Sequence, residues 1–241
     1  MIEEKHTSGL PKLSVPKYKI KIPSTSEEIE FRPFLVKEEK ILIIAMEQGE
    51  DKDKLNAIQE IVSECTFGKV SGDETPLFDI EYLFLNLRAK SKGEIVNVSY
   101  KCPECGEATE FEIDLTKIQC KKPKKNSNKV LLDGDIGIAF KYPSIKSLEN
   151  VNTQEKDTNQ IFSMITNSID YIYDKEQIYK STDHTEEQLN EFIEELSHEN
   201  FQKVQKFFEE IPKVNYKLDF KCSHCSFEKE MMVEGLQNFL A

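Results

Sequence analysis

The sequence predicts an α+β fold made of small β-hairpins, a large helical insertion and an αα-hairpin. Three observations predict it. Two Cys-x-x-Cys elements, Cys102-Pro-Glu-Cys105 and Cys222-Ser-His-Cys225, are each framed by apolar residues alternating in period two, the mark of a strand pair. Between them, apolar residues recur at helical spacing. Thr185-Glu-Glu-Gln188 forms a capping box ahead of Leu189, Phe192, Ile193 and Leu196, and a second stripe of Phe201, Val204, Phe208 and Ile211 runs from Ser197 to Pro212.

From the N-terminus, residues 1–16 read as a flexible arm and 17–93 as a hairpin followed by helices. Tyr18 to Ile22 and Ile29 to Phe31 alternate around Pro23-Ser-Thr-Ser26, with Lys17, Lys19 and Lys21 placed to pair with Glu28 and Glu30 across the hairpin. Lys37 to Met46 is apolar enough for a buried helix. Lys52 to Cys65 is amphipathic, and Cys65 shares the apolar face with Leu55, Ile58, Ile61 and Val62, which suits a packing role. Thr75 reads as the N-cap of a helix with Pro76 at its first position and Leu77, Ile80, Leu83, Phe84 and Leu87 as its stripe. Arg88, Lys90 and Lys92 suit the negative end of that helix's dipole.

Residues 94–115 hold the first cysteine hairpin and 116–129 a basic, solvated linker rich in Pro, Asn and Ser. Residues 130–212 hold a strand pair turning at Asp133-Gly134, a buried helix over Asn159 to Tyr173 on Phe162, Ile165, Ile169 and Ile172, and the αα-hairpin. A phenylalanine stripe at this spacing is core, with a partner-binding face at the excess apolar width of Phe207 as the alternative to burial that sequence alone does not separate. Residues 213–241 hold the second cysteine hairpin and a C-terminal segment.

Four thiolates in two such pairs point to a tetrahedral metal site, with Cys102, Cys105, Cys222 and Cys225 as ligands and the hairpins as halves of a split zinc ribbon. Zinc accepts four sulfurs without a geometric preference of its own, and iron suits the same set. The role is structural, because four protein ligands leave no open position for chemistry. Residues 106–221 separate the pairs, against roughly 15–20 in an ordinary ribbon. That longer loop costs about 1.6 kcal/mol more to close, which structural zinc binding, worth roughly 10–16 kcal/mol in small peptides, outweighs. Two redox dithiols or two disulfides are the bland alternatives. A thioredoxin-type dithiol needs its first cysteine at a helix start, and strand-like sequence flanks both pairs here.

With a net charge of −12 the chain lacks the basic surface of a general nucleic-acid binder, so protein partners are favoured. No apolar run has the length of a membrane span, Met1 to Leu10 lacks a signal-peptide pattern, and six cysteines suit a reducing cytoplasm. No phosphate loop, nucleophile elbow or His-Glu-x-x-His helix is present, and the four histidines are scattered, His224 being a bystander inside a cysteine turn. No catalytic constellation or small-molecule cofactor is expected.

Leu10-Pro-Lys-Leu13, then Phe31-Arg-Pro-Phe-Leu35 with Lys37-Glu-Glu-Lys40, resembles the N-terminal signature of the baseplate hub proteins of T-even-type bacteriophages. Phe201 to Pro212 and Glu234-Gly-Leu-Gln-Asn-Phe239 resemble that family's C-terminal region. The resemblance runs in order along nearly the whole chain. It implies a non-enzymatic protein acting in the host cytoplasm and at the virion tail baseplate, as a hub component or as a factor that helps the hub assemble. Its partners would be other hub and tail assembly proteins. It carries no catalytic residue across, and the metal reading rests on the cysteine spacing alone. Two competing readings stay open: a zinc-ribbon nucleic-acid module using Lys121, Lys122, Lys124 and Lys125, and a metalloenzyme with an unidentified ligand set.

Overall fold

In the computed structural model, residues 13–49, 51–148 and 158–239 are described. The first part of the chain contains β1 (Tyr18–Lys21), β2 (Glu28–Phe31), α1 (Val36–Gln48), α2 (Asp51–Cys65) and α3 (Leu77–Lys92). The first cysteine hairpin is β3 (Ile95–Lys101) and β4 (Ala108–Asp114), followed by the short β5 (Gln119–Cys120). Then come β6 (Lys129–Leu131), β7 (Gly137–Phe140), α4 (Ile145–Leu148), α5 (Thr158–Asn167), β8 (Ile169–Tyr173), β9 (Ile178–Lys180), α6 (Glu186–Glu194) and α7 (His198–Glu209). The second cysteine hairpin is β10 (Val214–Lys221) and β11 (Glu228–Glu234). All strand pairing among the described residues is antiparallel, in four small sheets: β1-β2, β3-β4, β11-β10-β5 and β6-β7-β8-β9.

Two hydrophobic clusters organise these elements. The first is centred on α3, whose Ile80, Leu83, Phe84, Leu85 and Leu87 are buried on several sides of the helix. A helix apolar nearly all round can only be a core helix, and here the N-terminal hairpin, α2 and both cysteine hairpins cover it. Cys65 is fully buried in this cluster with Ile58, Ile61 and Val62, in the packing role its spacing predicts. The second cluster joins the four-stranded sheet to α5, α6 and α7. Phe140 stacks on Phe207 at 4.9 Å between ring centroids and meets Phe208 edge-on at 5.4 Å, so Phe207 is part of the second core.

The two clusters are tied together at the start of α3. The Leu77 N–H donates to the Pro143 carbonyl at 2.9 Å, Pro76 bridges Ser144, and Phe78 meets Tyr142 edge-on. Those contacts correct the expected cap. Pro76, not Thr75, is the cap residue, and its carbonyl accepts from Asp79 and Ile80 while a distant loop takes an orphan amide of the first turn. The capping box at Thr185 and the N-cap at Ser197 form as expected, with α6 and α7 as the αα-hairpin.

Other expectations need correction. The insertion has the expected strand pair, β6 and β7, but β8 and β9 extend it into a four-stranded sheet. Ile169 to Tyr173 continues not as helix but as β8, because Ile138, Ala139 and Phe140 of β7 offer it a strand partner; the helical i, i+3 spacing of Ile169 and Ile172 goes with a register shift at Ala139/Phe140 that breaks the strand alternation. Gln119 and Cys120 of the expected linker pair with Asn215 and Val214 as an edge strand. Finally, α1 is largely exposed: Val36 is 81% accessible and Ile43 and Ile44 nearly half, since α2 covers only one side of the helix. Residues 1–12, most of the expected arm and the start of the resemblance at Leu10, lie outside the described residues.

Candidate metal centre

Each cysteine pair sits in the tight connection of a long hairpin. In the first, the Cys102 N–H donates to the Glu107 carbonyl at 2.8 Å and the Gly106 N–H to the Cys102 carbonyl at 2.9 Å. In the second, the Cys222 N–H donates to the Phe227 carbonyl at 2.8 Å. Gly106 (φ 76°) and Ser226 (φ 59°) occupy equivalent positions in the left-handed region, where the chain turns back into its second strand. The turn therefore aims both thiols of a pair to one side.

The N-terminal hairpin repeats this turn without cysteine. Ile22 donates to Glu27 at 2.9 Å, Ser26 donates to Ile22 at 2.7 Å, and Ser26 has φ 61°. Ile22 stands where the others have their first cysteine and Thr25 where they have the second. Here the loop is held by apolar burial of Ile22 and by Asp79 of α3, whose carboxylate accepts from the Ser24 N–H at 2.9 Å and from the Ser24 hydroxyl. One backbone design is thus anchored twice on sulfur and once on a buried carboxylate.

The two cysteine hairpins belong to different sheets, and side chains join them. Cys102 Sγ lies 3.7 Å from Cys225 Sγ, Cys105 Sγ lies 3.6 Å from Cys222 Sγ, and all four sulfurs fall within 4.8 Å of one another. A tetrahedron of ~2.3 Å metal–sulfur bonds has edges of about 3.8 Å, so the cluster has the size of a tetrahedral thiolate site. These separations are far beyond a disulfide's ~2.05 Å, and all four cysteines are free thiols. The two first cysteines, Cys102 and Cys222, are buried, whereas Cys105 and Cys225 face solvent.

The surroundings favour thiolate at one sulfur and oppose it at its neighbours. Amide donors of Cys225 and His224 pull the Cys222 thiol down to about 6, against the loss of hydration. The amide of Phe227 favours thiolate at Cys225, but desolvation and the adjoining sulfurs push that group up to about 12. Four thiols this close cannot all ionise without a cation among them. A divalent ion held by these four residues would resolve the conflict, because a coordinating thiol is deprotonated outright.

The four cysteines that the sequence grouped do lie together, but the residues that support them were not foreseen. Thr109 of β4 is buried, its hydroxyl donates to Cys222 Sγ at 3.8 Å, and it accepts from the Ser223 N–H at 3.4 Å. Phe111 and Phe220 meet across the joint at 4.9 Å. The Tyr100 hydroxyl donates to the Asn238 carbonyl at 2.9 Å, fastening the C-terminal segment to the first hairpin. Their only sequence signal is an inward position in alternating strands, which says buried and not against what. His224 contributes its backbone amide to Cys222 and is exposed.

No curated protein and no solved structure matches this chain. A family model described as "T4 bacteriophage base plate protein" matches residues 15–241, which includes both cysteine pairs and everything between them. The chain therefore belongs to the T4 bacteriophage base plate protein family.

Proposed function

We propose that this protein is a non-enzymatic structural or assembly component of the phage tail baseplate hub, stabilised by zinc bound to Cys102, Cys105, Cys222 and Cys225. The family match over residues 15–241 supports the baseplate role. The convergence of four sulfurs within 4.8 Å carries the metal reading. Bound zinc supplies no reaction here; it neutralises and cross-links four thiolates.

The clamp has a mechanical consequence. The cysteine hairpins share no strand pairing, and the chain between them folds into the second hydrophobic cluster. Holding the hairpins together fixes both ends of that insertion, making one rigid body of the two cores. An assembly surface gains from this, because less conformational entropy is lost on docking. The hub placement is tested by mass spectrometry of purified phage particles and of hub complexes captured from infected cells. Stoichiometric copies in particles make it a structural subunit, and presence only in the intermediates makes it an assembly factor. Absence from both contradicts the hub role.

A further inference from the structure

A cleft of about 920 Å³ opens where the two cores meet, bounded by the segment after β5, the end of α7 and the β10-β11 hairpin. Its apolar lining includes Tyr142 and Ile211, packed against the second core, and Tyr216, packed against the first, with the exposed Met232 beside them. Its charges are divided. Lys213 and Lys217 are neutralised by Glu234 at 3.3 Å and Glu230 at 2.6 Å. Lys121, Lys122 and Lys124 also line it, are exposed, and form no ion pair among the described residues. In a chain of net charge −12, three unpaired lysines on one short segment make a local positive patch.

We propose that this cleft docks an extended segment of another baseplate protein, acidic where it passes Lys121, Lys122 and Lys124 and apolar where it lies on Tyr142, Ile211, Tyr216 and Met232. The identity of the partner class rests on the baseplate reading; the chemistry of the segment rests on the cleft. Carboxylates complement the unpaired lysines, and an aromatic or aliphatic side chain complements the ring and thioether surfaces beneath them. A nucleic acid fits less well, because Glu209 lines the same cleft with no ion pair among the described residues, beside Glu210 and Glu234, which pair with Lys206 and Lys213. An unbroken phosphate chain meets repulsion there, whereas a polypeptide changes sign from residue to residue. The lysine segment joins the clamped hairpins to the insertion, so a bound segment would contact both cores at once.

The test compares the variant Lys121→Glu/Lys122→Glu/Lys124→Glu with a control of equal charge change at exposed lysines away from the cleft, Lys40→Glu/Lys69→Glu/Lys180→Glu. Tagged full-length chains are recovered from infected cells at roughly 0.05 and 0.3 M salt, and co-purifying baseplate proteins are quantified. A photo-crosslinking residue at Met232 identifies the segment in contact. The expected result is at least tenfold less partner with the cleft variant at the lower salt, little change with the control, and a crosslinked segment carrying both carboxylates and an apolar side chain. Equal recovery with both variants, while the unaltered chain still captures baseplate proteins, overturns the cleft and leaves the baseplate reading standing. Failure of the unaltered chain to capture any baseplate protein overturns that reading and the proposed partner with it. Crosslinking of Met232 to nucleic acid overturns the proposal in favour of phosphate recognition.

Discussion

Individual residues divide into those whose role follows from their own chemistry and those whose role depends on how the fold aims their neighbours. Cys102 and Cys222 are the first kind: a thiol pair in a hairpin turn points to a metal wherever the chain takes it. Replacing either by Ser leaves three ligands around a buried hydroxyl, so metal content and stability fall together. A loss of about 5 kcal/mol, or about 10–20 °C in melting temperature, is expected from calorimetry of the variants. Glu38 is the second kind. Nearly inaccessible, it accepts from Arg32 at 2.7 Å, from the Leu35 N–H at 2.8 Å and from Lys37 at 3.1 Å. Burial would raise its pKa, but these donors outweigh it and hold the carboxyl at about 2. Being depressed, it contributes stability that is complete above the unfolded carboxylate value of 4.5 and is lost as pH falls toward 2. Denaturant melts across that window should therefore show a loss of about 3 kcal/mol that Glu38→Gln lacks. Glu38 stood in plain view within Lys37-Glu-Glu-Lys40; its position three residues after Leu35 fits it to cap the helix start, but Leu35 is no ordinary cap residue, and the guanidinium of Arg32 that completes the site is aimed by the turn between β2 and α1.

At the scale of elements, legibility follows how local the deciding interaction is. The Thr185 capping box and the Ser197 cap are contained within four residues, and both helices begin where those residues say. The hairpin of β1 and β2 forms with Lys17 on Glu30 and Lys19 on Glu28, both at 3.1 Å, as alternation predicts. By contrast β8 becomes a strand because β7 lies beside it, and α1 stays exposed because only α2 covers it; neither fact is written in those segments. The turn geometry shared by the three hairpins is legible in retrospect from Ile22-Pro23 and Cys102-Pro103, but only a left-handed residue four positions on completes it. Gly106→Ala should cost about 1 kcal/mol by forcing a side chain into that conformation, whereas Ser226→Gly should relieve a comparable strain. Chemical denaturation of the pair, with opposite signs, checks it. In the insertion, a Cβ on Gly137 would run into the Tyr173 ring paired across from it. Gly137→Ala should destabilise by about 1–3 kcal/mol, read as loss of protection of the β7 and β8 amides in hydrogen exchange.

For the whole molecule, the metal site is a statement about topology. Two cores are built from a chain that leaves the first core after β5, folds the second, and returns at β10. The sulfur cluster closes that excursion, with Thr109 and the Phe111–Phe220 contact as its supports. Without the ion, the hairpins keep those contacts but lose the cross-link, because crowding holds the Cys105 and Cys225 thiols protonated. Metal removal should thus loosen the join between the cores before it unfolds either, and chelation should speed proteolysis after β5 ahead of global melting. The most direct test is elemental analysis of the purified chain, prepared without added metal and under reducing conditions, beside Cys102→Ser and Cys222→Ser. One zinc ion per chain, lost in both variants with a fall in melting temperature, is the predicted result. Metal-free protein whose melting is unchanged by chelation or by either substitution would contradict it.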